Sequence, residues 1–150
     1  MTEKELLVRK IENGTVIDHI QAGYGLKVME ILNLVASNHT AVVLLNIASK
    51  KLGRKDIVKV ENREITEDED NKIALIAPEA TINIIRNWKI VDKRRVTLPN
   101  LLDGVVRCPN TNCISNSEPV KSKLIVEKRN PLKFRCYFCE RVFDLNEIKI

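Results

Sequence analysis

The chain has 150 residues, 44% of them hydrophobic and 30% charged, which is typical of one folded domain or two small ones and argues against a disordered chain. Its net charge of +5 is small and spread along the sequence, so it lacks the concentrated basic patch on which nucleic-acid binding usually depends. No apolar run reaches the roughly 20 residues of a membrane-spanning helix, and the charged N-terminus lacks the apolar core of a signal peptide, so we expect a cytoplasmic protein without membrane contacts.

The first part of the chain predicts strands interrupted by one helix. LKVMEILNLV (26–35) has apolar residues at helical spacing and predicts the helix. The run at 41–48 is continuously apolar, as in a buried strand, whereas 56–62 alternates, as in a strand with one solvated face. The predicted strands are LLVRKI (6–11), closed by a turn at Asn13-Gly14, then TVIDHI (15–20), AVVLLNIA (41–48) and DIVKVEN (56–62).

A second helix is predicted at TEDEDNKIALIA (66–77). Thr66 is followed three residues later by Glu69, which is the spacing of a capping box, and acidic residues suit the positive end of a helix dipole. Pro78 ends this helix. ATINIIRN (80–87) and WKIVDKRRV (88–96) complete the strands. The acidic run is therefore interpreted as a helix start and not as a binding site.

The order of these elements predicts an α+β fold. Strand, helix, strand, strand, helix, strand is the βαββαβ pattern of a ferredoxin-like two-layer α/β sandwich, here with one extra strand. TLPNLLDG (97–104) contains Pro99 and Gly104 and is interpreted as a linker. We therefore expect two domains, residues 1–97 and 98–150, the second being a small all-β domain.

All four cysteines lie in that second domain: Cys108, Cys113, Cys136 and Cys139. Disulfides, a dithiol redox centre and a metal site are the competing explanations. Disulfides are rare in a reducing cytoplasm, and a redox role for the CxxC pair leaves the first pair unexplained. Two close pairs joined by one long connection favour a structural zinc ion held by four thiolates.

The connection between the two cysteine pairs supports the zinc interpretation. It contains a strand-like run at Leu124–Val126, a turn at Asn130-Pro131 and a second strand-like run that ends at the third cysteine. Motifs typical of catalysis, such as a P-loop or a nucleophile elbow, do not occur, so we do not expect an enzyme. GYG (23–25) is too short to indicate phosphate binding by itself.

Five segments, taken together, resemble the regulatory chain of aspartate carbamoyltransferase. Their order and spacing match from near residue 6 to the last cysteine pair. They are GTVIDHI (14–20), GRKDIVKVEN (53–62), LIAPEATIN (75–83), CPNTNCISNSEPV (108–120) and CYFCE (136–140).

This resemblance implies a non-catalytic subunit of an enzyme of pyrimidine biosynthesis. Its N-terminal domain (1–97) would bind the allosteric nucleotides CTP, ATP and UTP, and its zinc domain (98–150) would contact the catalytic chain. Six catalytic and six regulatory chains would assemble, with the regulatory chains paired through their N-terminal domains.

The resemblance also assigns residues to the nucleotide site. Lys59 and Lys93 would contact the phosphates, Asp18 would contact the ribose, and His19 would lie near the phosphates. Backbone groups of the first strand and of Ile90 would recognise the base. The other assigned positions are Val8, Arg9, Ile11, Asn83 and Trp88.

The chain departs from the family pattern at two positions of the nucleotide site, and one loop of the zinc domain is expected to contact the catalytic chain. Arg9 stands where well-studied enteric relatives carry an acidic residue, which leaves the preference between CTP and ATP open, and Trp88 stands where some relatives have tyrosine. NCISNSEPV (112–120) is the expected docking edge, with Asn110 and Glu118 as polar contacts.

A nucleic-acid-binding zinc-ribbon protein is the alternative from another functional class. Such a protein would use exposed aromatic residues on a sheet together with a basic stripe. The chain has only six aromatic residues and a small net charge, so the composition argues against this alternative.

Overall fold

The computed structural model describes residues 10–150 of the chain. The chain divides into two compact units with the boundary between Thr97 and Leu98, here called the N-terminal and the C-terminal unit. Each unit contains one antiparallel sheet. Across residues 10–150, no helix combines the length and the apolar character needed to cross a membrane.

Between residues 10 and 97, the N-terminal unit has a five-stranded sheet and two helices, as the α+β prediction requires. The strands lie in the order β2-β3-β1-β4-β5, and every neighbouring pair is antiparallel. The elements are β1 (Gly14–Gln21), α1 (Gly25–Ile31), β2 (Ala41–Ser49), β3 (Gly53–Glu61), α2 (Glu67–Ile76), β4 (Thr81–Arg86) and β5 (Lys89–Arg95). The predicted ferredoxin-like fold with an extra strand is thereby confirmed. The strand predicted at 6–11 falls mainly outside the described residues.

The core of the N-terminal unit lies between one face of the sheet and the helices. Ile17, Val58 and Ile82 are cross-strand neighbours, so their side chains share this face, and all three are fully buried. Val28 of α1 and Ile73 of α2 are equally buried, and α1 packs against both α2 and β3. Each such side chain contributes roughly 1.5–3 kcal/mol on burial. The helices therefore stabilise one face and leave the opposite face of the sheet available for other roles.

Helix α1 is shorter than the predicted span of 26–35. The N–H of Asn33 donates to the carbonyl of Glu30, and the N–H of Leu34 donates to the carbonyl of Met29, while Asn33 has a φ of 53°. This pair of bonds around a left-handed residue is a Schellman motif, which ends a helix. Asparagine tolerates that conformation better than other non-glycine residues, so Asn33 was the available signal.

The strand predicted at 41–48 is confirmed as β2, but the burial predicted for it was wrong. Within residues 10–150, β2 lies at the edge of the sheet and pairs only with β3, and the side chains of Val42 and Leu45 are about half exposed. A continuous apolar run indicates burial on both faces only when neighbouring elements cover both faces. Position in the sheet, which the local sequence does not encode, decided the outcome.

The predicted capping box at the start of α2 is confirmed. The Thr66 side chain accepts a hydrogen bond from the Glu69 N–H at 3.2 Å, and the Glu69 carboxylate accepts one from the Thr66 N–H at 3.0 Å. The following carboxylate, Asp70, is buried, pairs with Arg94 of β5 and accepts a hydrogen bond from the Thr97 N–H at 3.1 Å. The acidic run therefore starts the helix and fixes it to the end of β5.

The C-terminal unit is a small all-β unit. Its strands are β6 (Leu101–Asp103), β7 (Lys123–Arg129), β8 (Leu132–Cys136) and β9 (Val142–Asp144), paired antiparallel in that order, with 3₁₀ turns at Ile114–Asn116 and Leu145–Glu147. The predicted linker thus contains a strand, and the predicted turn at Asn130-Pro131 joins β7 to β8. Leu102, Leu124 and Phe134 are fully buried and form the centre of a core that few other large side chains enter.

Candidate functional site

A cavity of about 400 Å³ lies against the sheet of the N-terminal unit. Eight of the ten predicted nucleotide-site residues line it, although nothing in the prediction used their spatial proximity. The other two, Val8 and Arg9, lie outside the described residues. The cavity is lined by Lys10, Ile11, Val16, Asp18, His19, Lys59, Thr81, Asn83, Ile85, Trp88, Ile90 and Lys93.

The lining residues that belong to strands share the sheet face opposite the helix-covered core. Val16 pairs with both Lys59 of β3 and Asn83 of β4, and the Asn83 side-chain amide donates to the Val16 carbonyl at 3.3 Å. Antiparallel partners point to the same side of a sheet, so this row of three forms the middle of the cavity floor. Lys59 is buried, with 3% of its surface exposed.

The two ends of the cavity differ in polarity. Asp18 and its partner Thr81 lie at one end of the β1–β4 pair, and Ile85 lies four residues further along β4, a distance of roughly 13 Å at about 3.3 Å per residue. Ile90 is the cross-strand partner of Ile85 and makes that second end apolar. The cavity therefore has a charged end and an apolar end, separated by about the length of a small extended ligand.

A bulge in β5 places both of its cavity-lining residues, Ile90 and Lys93, on the same face of the sheet. Ile85 pairs with Ile90, and Ile84 pairs with Asp92, so Val91 is an extra residue opposite no partner. Residues an odd number of positions apart on a regular strand point to opposite faces, which would separate Ile90 from Lys93. The bulge absorbs Val91 and returns Lys93 to the same face as Ile90.

A second bulge places His19 beside Asp18. The β1–β3 register shifts between Ile17 and Ile20, and His19 has a φ of 57°, in the left-handed region. Its N–H donates to the Asp18 carboxylate at 2.6 Å, and its Nδ1 lies 3.0 Å from the Thr81 hydroxyl. The bulge thus turns a side chain that would otherwise face away from the cavity into its charged end.

Lys55 holds Asp18 in place from β3. Its Nζ lies 2.9 Å from Asp18 Oδ1, and the lysine is 4% exposed. Burial alone would raise the pKa of Asp18, but the hydrogen bonds from Lys55 and from the His19 N–H outweigh burial and leave that pKa below its usual value. Asp18 is therefore ionised at neutral pH and accepts hydrogen bonds.

Burial lowers the pKa values of two cavity groups, His19 at the charged end and Lys59 in the middle row. Burial holds the pKa of His19 below its usual value, with help from nearby lysines and against the charge of Asp18. Burial likewise lowers the pKa of Lys59, and Asp18 again opposes the effect. Both shifts come mainly from burial, and an anionic ligand near these groups would oppose them.

Trp88 lies in a turn and not in the strand predicted at 88–96, which begins one residue later, at Lys89. Asn87 and Trp88 form the two-residue connection between β4 and β5, with φ values of 52° and 68°. Positive φ at both positions is the pattern of a type I′ turn, and it is uncommon for a bulky residue. The Trp88 N–H donates to the Glu12 carbonyl, and the indole is 60% exposed at the apolar end of the cavity.

The glycines of GYG have a structural partner. Asp56 Oδ2 accepts hydrogen bonds from the Gly23 and Gly25 N–H groups at 3.1 and 2.8 Å, and Oδ1 accepts one from the N–H of Asn46, which lies in a bulge of β2. A Cβ on Gly25 would lie 2.8 Å from the Asp56 side chain. These amides bind a carboxylate of the protein, which explains the motif without a phosphate.

We expect Asp56→Ala to destabilise the N-terminal unit by roughly 3 kcal/mol, because one buried and two half-buried N–H groups lose their acceptor. Each unsatisfied donor costs about 1–3 kcal/mol, with partial relief from water. Chemical denaturation followed by Trp88 fluorescence measures the change. Asp92→Ala is the matched control, since Asp92 is exposed on β5 and its ion pair with Arg94 is long, at 3.5 Å; it should cost less than about 1 kcal/mol. Equal losses in both variants would contradict this role of Asp56.

The four cysteines come together in the C-terminal unit as free thiols. Their sulfur atoms all lie within 4.8 Å of one another. The Cys108–Cys139 and Cys113–Cys136 sulfur pairs are 3.8 and 3.7 Å apart, far beyond the length of a disulfide bond. A tetrahedral ion with metal–sulfur bonds of about 2.3 Å requires sulfur–sulfur edges of about 3.8 Å. The donor set therefore fits a metal of that size held by four thiolates.

The surroundings of the cluster favour a structural metal over a catalytic one. Cys108, Cys113 and Cys136 are buried, and burial raises the pKa values of Cys108 and Cys136 when no metal is bound. A cation that coordinates the sulfurs displaces these protons and compensates the buried charge. Four protein ligands leave no open position for a substrate.

Two family models together cover almost the whole chain. The allosteric domain of the aspartate carbamoyltransferase regulatory chain matches residues 6–97, and the metal binding domain of that chain matches residues 100–149. The chain belongs to this family. The predicted resemblance is therefore confirmed. Family membership favours the regulatory chain over the nucleic-acid-binding alternative.

Named relatives agree over nearly their full length. The regulatory chain of Methanothrix thermoacetophila is 56% identical over 143 residues, covering 94% of this chain and 93% of the relative. That of Thermococcus sibiricus is 54% identical over 97% and 96%, and that of Pyrococcus abyssi 56% identical over 96% of each. All three are named as regulatory chains, so this chain is a non-catalytic subunit, as predicted.

Four cavity residues were missed at the level of sequence: Lys10, Val16, Thr81 and Ile85. Three of them lie two positions from a residue that was assigned: Val16 from Asp18, and Thr81 and Ile85 from Asn83. Side chains two apart on a strand share a face, so the period of the strand was a usable signal. Lys10, which precedes β1, lies in the predicted first strand (6–11) whose backbone was expected to recognise the base, but its side chain was not assigned.

The two predicted docking residues lie near the first cysteine pair. The Asn110 side chain accepts a hydrogen bond from the Asn112 N–H at 3.1 Å, and the Asn110 carbonyl accepts one from the Asn116 side chain at 2.7 Å. Asn110 thus forms part of the turn between the cysteines. Glu118 is exposed just after the 3₁₀ turn. Their role in docking stays a prediction.

Proposed function

We propose that this regulatory chain binds nucleoside triphosphates, namely CTP, ATP and UTP, in the cavity of the N-terminal unit (residues 1–97). Through the C-terminal unit (98–150) it would dock on the catalytic chain of aspartate carbamoyltransferase, in the cytoplasm, as part of pyrimidine biosynthesis. Regulatory chains would pair through their N-terminal domains in an assembly of six catalytic and six regulatory chains. The observation that carries the proposal is the division of one cavity into a charged and an apolar end.

The division matches the chemistry of a nucleoside triphosphate. A base needs an apolar or aromatic surface, which Ile11, Ile90 and Trp88 supply at one end. Phosphates need cations and hydrogen-bond donors, which Lys59 and Lys93 supply in the middle of the cavity. A ribose offers hydroxyl donors, and the ionised Asp18 carboxylate at the charged end accepts such bonds.

The lowered pKa of Lys59 supports this ligand class. Its ammonium group is buried on the cavity floor, so its charged form has lost much of its hydration. A phosphate oxygen at that point would add a favourable electrostatic interaction in a region that water screens weakly.

We further propose that the metal is zinc, one ion per chain. Four thiolates in a tetrahedral arrangement suit zinc and also iron, and zinc is the usual ion of structural four-cysteine sites. In this proposal Cys108, Cys113, Cys136 and Cys139 hold the ion, and the ion supplies the cross-link that keeps the loop at 112–120 in shape. That loop would present Asn110 and Glu118 to the catalytic chain.

The test of nucleotide binding is a calorimetric titration of the metal-loaded chain with CTP and with ATP, run beside a fluorescence titration. Trp88 is the single tryptophan of the chain and lines the cavity, so binding should change its emission. We expect saturable binding with one site per chain, and CTP should displace ATP. Absence of binding, or simultaneous binding of CTP and ATP without competition, would contradict the shared cavity.

We expect nucleotide affinity to increase as the pH falls from about 8 to about 6, and His19 to be responsible for part of the increase. In the free chain the pKa of His19 is below its usual value, so the ring is neutral at pH 7. Bound phosphates favour the imidazolium and raise the pKa of His19. When the pH is below the pKa of His19 in the complex, nucleotide binding is therefore accompanied by uptake of a proton. A rise of one pKa unit corresponds to about tenfold in affinity.

Calorimetry at several pH values compares the wild-type chain with His19→Asn, because asparagine tolerates the left-handed backbone at this position. The phosphates of the ligand titrate equally in both proteins, so the difference between the two profiles isolates His19. Parallel profiles would show that His19 does not titrate with binding.

A further inference from the structure

One cluster sulfur has a side-chain hydroxyl as a neighbour. Ser115 Oγ lies 3.2 Å from Cys113 Sγ, within the distance of a hydrogen bond that involves sulfur. Cys113 is 2% exposed, and Ser115 is half-buried on the 3₁₀ turn that begins directly after Cys113. Across residues 10–150, no other sulfur of the cluster has a hydroxyl partner of this kind.

Metal coordination fixes the direction of this hydrogen bond. A thiolate bound to a metal carries no proton and can only accept, so the Ser115 hydroxyl is the donor. Donation to a thiolate draws electron density from the sulfur, which weakens its attack on electrophiles and reduces the negative charge that four sulfurs concentrate on one ion. Hydrogen bonds from outside the ligand set commonly change metal affinity by about 10–100-fold.

We propose that Ser115 is a positioning residue of the metal centre, whose hydroxyl donates to the Cys113 thiolate and thereby slows loss of the metal and attack on that sulfur. The inference rests on the four-cysteine metal site but not on the nucleotide, and it holds for any tetrahedral divalent ion. In this proposal Ser115 controls the reactivity of the metal centre, and it is not needed for the turn to fold.

The same turn contains a matched control. The Ser117 hydroxyl donates to the Ile114 carbonyl at 3.3 Å, so Ser117 has the same chemistry in the same turn without a contact to sulfur. Ser117→Ala removes a hydroxyl and one turn hydrogen bond. Ser115→Thr retains a hydroxyl at the position where Ser115→Ala removes it. A purely structural role would affect both alanine variants similarly and would not depend on the sulfur.

The experiment uses the full chain loaded with cobalt(II) for spectra and with zinc for kinetics. In Ser115→Ala we expect the sulfur-to-cobalt charge-transfer band to move to longer wavelength, because a thiolate without the hydrogen bond gives up electrons more easily. Zinc release after addition of an organomercurial, followed with a chromogenic chelator, should be about tenfold faster. Ser115→Thr and Ser117→Ala should behave as the wild type does.

Two results would overturn the proposal. One is an unshifted band and unchanged release in Ser115→Ala, and the other is an equal change in Ser115→Ala and Ser117→Ala. Failure of the wild-type chain to take up cobalt(II) would reject the metal centre itself and this role of Ser115 with it. Nucleotide titrations of the same samples report on the N-terminal unit, so failure of the proposed nucleotide function stays distinguishable.

Discussion

Removal of the metal is expected to unfold residues 98–150 while the N-terminal unit stays folded. The C-terminal unit has about 50 residues, two of its four strands are three residues long, and its core centres on Leu102, Leu124 and Phe134. Units of that size are marginal without a cross-link. Metal binding in small structural zinc sites has an apparent free energy of roughly 10–16 kcal/mol at neutral pH, which is more than such a core supplies.

Spectroscopy separates the two units without further labels. All three phenylalanines and Tyr137 lie in the C-terminal unit, and the only tryptophan lies in the N-terminal unit. After treatment with a strong chelator we expect proteolysis to degrade residues 98–150 and the near-UV tyrosine signal to weaken, whereas Trp88 fluorescence should keep its emission maximum. Cys136→Ser should have the same effect without a chelator, because one ligand is lost.

Protease resistance of the C-terminal unit after complete metal removal would contradict this expectation. It would mean that the core and the β6–β9 sheet are stable by themselves. Loss of both units together would instead indicate that the N-terminal unit depends on the metal, which its separate core of aliphatic residues does not suggest.

The second large effect is expected from Lys59→Met and Lys93→Met. Each change removes one cation from the cavity and preserves most of the length and volume of the side chain. Hydrogen bonds to charged groups contribute about 1.5–3 kcal/mol, so each variant should lose roughly 10–100-fold in affinity for CTP and for ATP, and the double variant should show no binding in calorimetry.

The fold should survive both changes. Burial disfavours the charged form of Lys59, and a methionine at this position has no charge to desolvate. Asp18 keeps its ion pair with Lys55. Lys89→Met is the matched control, since Lys89 is exposed on β5 and does not line the cavity. Unchanged affinity in Lys59→Met would place the phosphates elsewhere, and an equal loss in Lys89→Met would point to general electrostatic attraction.

Local chemistry explains which parts of the fold the sequence predicted. The capping box of α2 and the cysteine spacing are short-range signals with fixed geometry, and both are confirmed by the structure. The end of α1 was misplaced because Leu34 continues the helical period of apolar residues, although Asn33 already carries the left-handed residue of the Schellman motif. The period of apolar residues shows which face of a helix is buried, but it does not show at which residue the helix ends.

The cavity was predictable in composition but not in geometry. Family resemblance named its residues, and the period of β1 and β4 could have added three more. The two bulges could not be read from the sequence, because a bulge shows only in the pairing between strands. His19 and Lys93 both depend on such a bulge for their orientation, so a regular-strand model would have placed them on the wrong face.

The extra residue in β5 also affects how relatives of different length should be aligned. Deleting one residue from a regular strand usually reverses the orientation of everything beyond it. Deleting Val91 would instead preserve the orientation of the side chains beyond it. Ile84 and Asp92 would still pair, and Ile90 and Lys93 would keep their partners, because removal of the extra residue makes the ladder regular. During evolution this hairpin can therefore lose one codon at that point without losing its contribution to the cavity, and a one-residue gap there is compatible with an intact site.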